Sequence, residues 1–210
     1  MNQSKISALL TAVVVLLLSS CASKFHSITP EQLYYKSDQS DKEVILGYNY
    51  DLLSGKYKKK ETKKNIKIVS LKIQNESDRD LIFGQNLHLC YANGSEVDIL
   101  NIDQAFNALK QRPATYLWYL PLSILQLNIT KTENGYTTDK TSIPVGLAIG
   151  PGIAFGNLAV ASAANKKFRT NLVENNLIGR TIKKGETVFG LVGIMSSNYE
   201  GLQLKTNTRK

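Results

Sequence analysis

Ile66-Lys67-Ile68-Val69-Ser70-Leu71-Lys72-Ile73-Gln74 is the stretch that decides the fold class. Val69, Leu71 and Ile73 alternate with Ser70, Lys72 and Gln74, the two-residue period of a strand with one face on a core. Ile66 and Ile68 have the opposite parity, so the run predicts either a bulge or burial on both faces. Turn chemistry follows at Asn75-Glu76-Ser77-Asp78. Upstream, residues 44–50 (Val-Ile-Leu-Gly-Tyr-Asn-Tyr) are β-branched and aromatic and run into a turn signal at Ser54-Gly55. Downstream come short runs at 81–83 and 87–91, an Asn93-Gly94 hairpin signal, and a further run at 97–100. Lys184-Gly185 precedes an apolar strand at 187–194, and 202–205 could close the sheet. Short strands about ten residues apart predict a mainly β, α+β domain: an antiparallel sandwich of immunoglobulin-like type.

The period changes between residues 103 and 176, which read as a mostly helical, Gly-rich insertion in a single β-rich domain covering 43–210. Asp103 can cap a helix carrying Phe106 and Leu109, which Pro113 ends. Residues 113–130 carry no charge, and Leu125, Leu127 and Ile129 alternate with Gln126, Asn128 and Thr130. With Glu133-Asn134-Gly135 as the turn, that alternation predicts a projecting hairpin. Residues 141–165 are a second uncharged run. From about Ala154, Leu158, Ala161, Asn165, Phe168 and Leu172 fall at helical steps, with Asn175-Asn176 as the stop. This helix is expected to pack on the sandwich. Gly146, Gly150, Gly152 and Gly156 also give two small-xxx-small spacings, the pattern that lets helices approach closely in lipid, so a membrane-spanning hairpin and a surface that docks on membrane or a partner protein are the competing expectations.

The N-terminus supplies an address. Met1-Asn2-Gln3-Ser4-Lys5 is followed by an apolar run from 6 to 18 and then Leu18-Ser19-Ser20-Cys21. A basic start, a short apolar core and small residues at 19 and 20 are the anatomy of a secretory signal, and the run is short for a membrane span. Leu18-Ser19-Ser20-Cys21 resembles the lipobox of bacterial lipoprotein precursors, over about twenty residues. The resemblance implies a signal peptide at 1–20, removed before Cys21, with that cysteine lipid-modified and anchored in a membrane. Ala22 and Ser23 in place of an aspartate imply release toward the outer membrane. Residues 21–42 are polar and read as a tether, with Thr29-Pro30-Glu31-Gln32 as a short helix start. Cys90 then has no partner within the chain and reads as a small buried residue of an alternating strand.

Composition narrows the rest. The 210 residues hold 26 Lys and Arg against 17 Asp and Glu, a formal charge of +9. Seven lysines and one glutamate fall between residues 56 and 67. That run reads as a solvated hairpin loop, in which Lys58, Lys59, Lys60, Lys63 and Lys64 are candidates for contact with an anionic surface. The compartment and the lack of interleaved aromatic residues other than Tyr57 argue against nucleic acid. His88 and Cys90 lie two residues apart without further ligand candidates, so no metal or cofactor is expected. There is no Gly-x-Ser-x-Gly elbow, His-Glu-x-x-His helix or phosphate loop, and no catalytic residue is nominated. The expectation is a non-enzymatic binding, scaffolding or assembly role in the cell envelope, with an envelope protein as a possible partner. The alternatives are a membrane-active accessory protein using the Gly-rich insertion and an enzyme with scattered catalytic residues.

Overall fold

The computed structural model describes residues 21–206 except Lys42, Asn134 and Gly135. The expected signal peptide and the hairpin turn at 134–135 therefore lie outside the described residues. The chain divides into two units. The larger joins Phe25–Lys110 to Ala164–Lys210, and the smaller joins Gln111–Ala163 to residues 21–24.

The larger unit is α+β with antiparallel pairing between its strands. Strands β1 (Lys36–Asp41), β2 (Val44–Asn49), β3 (Ile66–Asn75), β10 (Thr187–Met195) and β6 (Ile99–Leu100) form one sheet in the order β1-β2-β3-β10-β6. Strands β5 (Leu87–Tyr91) and β11 (Leu202–Thr206) form a second ladder, and β4 (Leu81–Ile82) and β9 (Thr181–Ile182) a third. β11 thus pairs with β5 and does not extend the main sheet.

The parity slip in β3 resolves as burial on both faces. Pairing with β10 is continuous from Gln74 opposite Thr187 to Ile66 opposite Met195, with no bulge. Val69, Leu71 and Ile73, with Val188, Val192 and Ile194 of β10, share a core with Leu81, Phe83, Leu87, Leu89, Leu202 and Leu204 from the small ladders. Ile66, Ile68 and Leu191 belong to a second core with helices α1 (Gly55–Lys64), α2 (Ile102–Leu109) and the C-terminal part of α3 (Gly146–Glu174). Phe168 centres that core, 4.9 Å from the Tyr57 ring and 5.1 Å from Phe25. Gly193 lets α2 come close: a Cβ there would stand 2.9 Å from Ala105 Cβ.

Three expectations need correction here. The lysine run is a helix and not a loop. Tyr57 and Glu61, one turn apart, form its buried face, and Asn65 ends it in the left-handed conformation at φ 53°. Helix α2 is capped by Asn101, which forms a capping box with Gln104, while Asp103 stands in the first turn. The segment expected as a tether is built into the fold: Phe25 and Ile28 are buried, and residues 36–41 are the outer strand of the main sheet. The Ile28 amide donates to Asn171 Oδ1 at 3.0 Å, and Asn171 Nδ2 donates back to Ile28 O at 2.9 Å.

The smaller unit contains a 3-10 stretch (Pro113–Ile124), a hairpin of β7 (Leu127–Glu133) with β8 (Tyr136–Ile143), and α3 up to Ala163. Helix α3 begins at Gly146, earlier than its periodicity suggests, and continues through Pro151. The four glycines divide into two kinds. A Cβ on Gly150 would stand 2.7 Å from the Ser123 backbone nitrogen, and one on Gly146 2.6 Å from that of Leu125. Gly152 and Gly156 would meet nothing within 4 Å. The expected packing on the sheet describes only one end of the helix, at Ala164, Phe168 and Leu172. Toward the other end Leu147, Ile149 and Phe155 are exposed.

Candidate functional site

A pocket of ≈ 470 Å³ in the larger unit is lined by Tyr34, Lys36, Tyr48, Asn49, Tyr50, Asp51 and Tyr199. Tyr48 in β2 and Tyr50, just past its end, both face the pocket. Their rings meet edge-on at 5.9 Å, and Tyr50 meets Tyr199 edge-on at 5.5 Å. Edge-to-face packing lets each ring stiffen the next. Asn49 Nδ2 donates to Tyr34 O at 2.7 Å, pinning the segment that carries the exposed Tyr34 ring.

Lys36, Asn49 and Asp51 supply the polar rim, and Lys58 of helix α1 braces it. Asp51 takes a left-handed conformation (φ 65°), which Asp tolerates better than most residues, and its carboxylate pairs with Lys58. Lys58 Nζ also donates to Tyr199 Oη at 2.9 Å, which holds that phenol below its ordinary range. Lys67 Nζ lies 4.5 Å from the centre of the Tyr199 ring. Tyr50 behaves oppositely: burial pushes its phenol up, with Tyr91, Tyr48 and Glu200 adding to the effect, and its hydroxyl donates to Glu200 O at 3.0 Å. The pocket therefore combines apolar ring surface with carboxylate, amide and ammonium groups at its edge, a composition suited to orienting a small or polymeric ligand.

The lysines nominated from sequence separate into two sets. Lys58 serves the pocket, and Lys60 donates to Lys110 O. Lys59, Lys63 and Lys64 are exposed. Beneath them Glu61 is buried: its Oε1 accepts from the Ile68 amide at 2.8 Å, and its Oε2 has no hydrogen-bond partner among the described residues. Burial pushes this carboxyl above its ordinary value, against the lowering effects of the Ile68 amide, Lys67 and Lys58.

Cys21 is exposed, at the first described position, and Cys90 is buried in β5; neither forms a disulfide. The residues after Cys21 are held within the smaller unit. The Ala22 amide donates to Asn157 Oδ1 at 2.6 Å. Gln111 clamps Ser23, accepting from its amide at 3.0 Å and donating to its carbonyl at 2.6 Å. His88 reaches Glu96 (Nδ1 to Oε1, 3.5 Å) beside a second hollow of ≈ 550 Å³, and no group of three or more potential metal ligands occurs among the described residues. The tyrosine pocket was not nominated from sequence. Tyr48-Asn49-Tyr50 was its only local trace, because Tyr34 and Tyr199 reach it through topology. No known protein family, curated protein or solved structure matches the chain.

Proposed function

We propose that the protein is a lipid-anchored cell-envelope component, on the outer-membrane branch of lipoprotein sorting, with a non-enzymatic binding role. On this reading Cys21 carries the acyl chains, and the β layers serve as an immunoglobulin-like sandwich that presents the tyrosine pocket to an envelope glycan. The observation that carries the binding role is the pocket itself. Exposed phenol faces suit the C–H faces of a sugar ring, while Asp51, Asn49 and Lys36 offer partners for its hydroxyl groups. Exposed Lys59, Lys63 and Lys64 are the remaining candidates for contact with an anionic surface.

Two measurements test the two halves. Soluble fragments of envelope polysaccharide, titrated onto the chain from residue 21 carrying Cys21→Ser, should shift the ring resonances of Tyr34, Tyr48, Tyr50 and Tyr199. Tyr199→Ala should weaken the binding about tenfold, as loss of an aromatic anchor does. Unshifted rings at saturating fragment would rule out the glycan site. Labelled palmitate should enter the full precursor and be absent from its Cys21→Ser form; label persisting in the variant would remove the anchor.

A further inference from the structure

The smaller unit exposes apolar side chains that a water-facing surface does not need. Trp118 and Ile124 in the 3-10 stretch are each 83% exposed, and Leu147, Ile149 and Phe155 on α3 are exposed as well. No charged residue interrupts this chemistry: residues 113–130 and 141–165 contain no Asp, Glu, Lys or Arg. The unit's charged residues lie outside these runs, at Lys24 and Arg112 and in the distal part of the β7–β8 hairpin at Lys131, Glu133, Asp139 and Lys140. Surfaces of this kind mark contact with a membrane or another protein.

What selects between those two is the position of Cys21. Because Asn157 and Gln111 fix Ala22 and Ser23, the cysteine is joined to this unit with almost no free chain between. We propose that the smaller unit docks directly into the bilayer surface, its exposed apolar side chains entering the same leaflet as the acyl chains on Cys21. The choice of lipid over protein rests on the lipid-anchor reading. Helix α3 is long and apolar enough to cross a membrane by length and composition. It lies along the interface instead, because its Gly146 and Gly150 side is occupied by the Ser123–Leu125 backbone and only the remaining arc is free for lipid. Trp118, with an apolar ring and one N–H donor, has the chemistry of a residue at the headgroup boundary. The apolar surface binds lipid by itself and adds to the hold of the acyl chains.

Trp118 is the chain's only tryptophan and reports the contact directly. The chain from residue 21 with Cys21→Ser, which carries no lipid, is mixed with vesicles of phosphatidylethanolamine and phosphatidylglycerol, and separately with phosphatidylcholine. The protein should float with both, in high salt, with blue-shifted Trp118 emission quenched by brominated lipid. Ile124→Asp and Phe155→Asp, at exposed sites and with unchanged circular dichroism, should each reduce flotation about tenfold. A monomer that stays in solution with unshifted emission overturns the proposal. So does a self-associated form that buries Trp118 without lipid, and so does binding confined to anionic vesicles and released by salt. Failure of palmitate labelling is a separate result, since this chain carries no acyl group.

Discussion

Phe155 and Phe168 stand on the same helix and meet opposite fates. Phe168 is 0% exposed and touches the rings of Phe25, Tyr57 and Phe106, whereas Phe155 is 55% exposed. Exposed positions around Phe168 are Lys166, Lys167 and Arg169; those around Phe155 are Gly152, Gly156 and Ala159. The larger unit therefore obeys the ordinary rule that a helix shows water its charged side. The smaller unit shows it methyls and rings. One continuous helix carries both regimes, so helicity alone reports nothing about the solvent its outer face is built for.

The sharpest way to break this comparison is to truncate both rings. Phe168→Ala should destabilise the fold by about 3–5 kcal/mol, as for a fully buried aromatic side chain, while Phe155→Ala should change stability by no more than about 0.5 kcal/mol. Chemical denaturation of the two variants checks this, and equal losses would mean that Phe155 is packed after all. The glycines give the next contrast. Gly150→Ala must displace the Ser123 backbone and should cost about 1–3 kcal/mol, read as faster amide exchange in the first turns of α3. Gly156→Ala enters open space in a helix and should gain up to about 1 kcal/mol.

The smallest effect concerns charge on the covered side. Glu61 has its carboxyl raised by burial, so its ionised form is less favourable folded than unfolded. That deficit is absent below the unfolded-state value, about 4.3, and complete once pH exceeds the raised folded value. Glu61→Gln keeps an acceptor for the Ile68 amide and should stabilise the fold by about 1 kcal/mol at neutral pH. The gain should shrink to nothing as pH falls through the carboxylate range. Parallel stability–pH curves for the two proteins would contradict this account of Glu61.

Strands were legible wherever the chain carries its own alternation or turn. The opposed parities of Ile68 and Val69 announce a two-sided sheet, and Gly94 at φ 86° turns the chain after β5 where Asn93-Gly94 said it would. Helix α1 was hidden because ten residues with a single aromatic show no apolar stripe; Tyr57 and Glu61 one turn apart, and Asn65 as a left-handed stop, were its only marks. The burial of Phe25 and Ile28 was illegible for another reason. Two apolar residues in a polar segment carry no period, and their partner Phe168 is far away in sequence. The pocket suffered the same way, its walls coming from three separated parts of the chain. Exposure in the smaller unit could not be read at all, because an uncharged helix has the same composition against a sheet as against lipid.

On the lipoprotein route proposed above, the bonds that join Ala22 to Asn157 and Ser23 to Gln111 would also impose an order of events. An enzyme cutting before Cys21 on that route would need access to the chain on both sides of the bond. In the finished fold the residues just past Cys21 are already engaged. On the lipoprotein route proposed above, cleavage and acylation come first, on a chain whose smaller unit has not yet closed. Maturation and folding are then coupled, and the freshly acylated N-terminus is the last strap to be fastened.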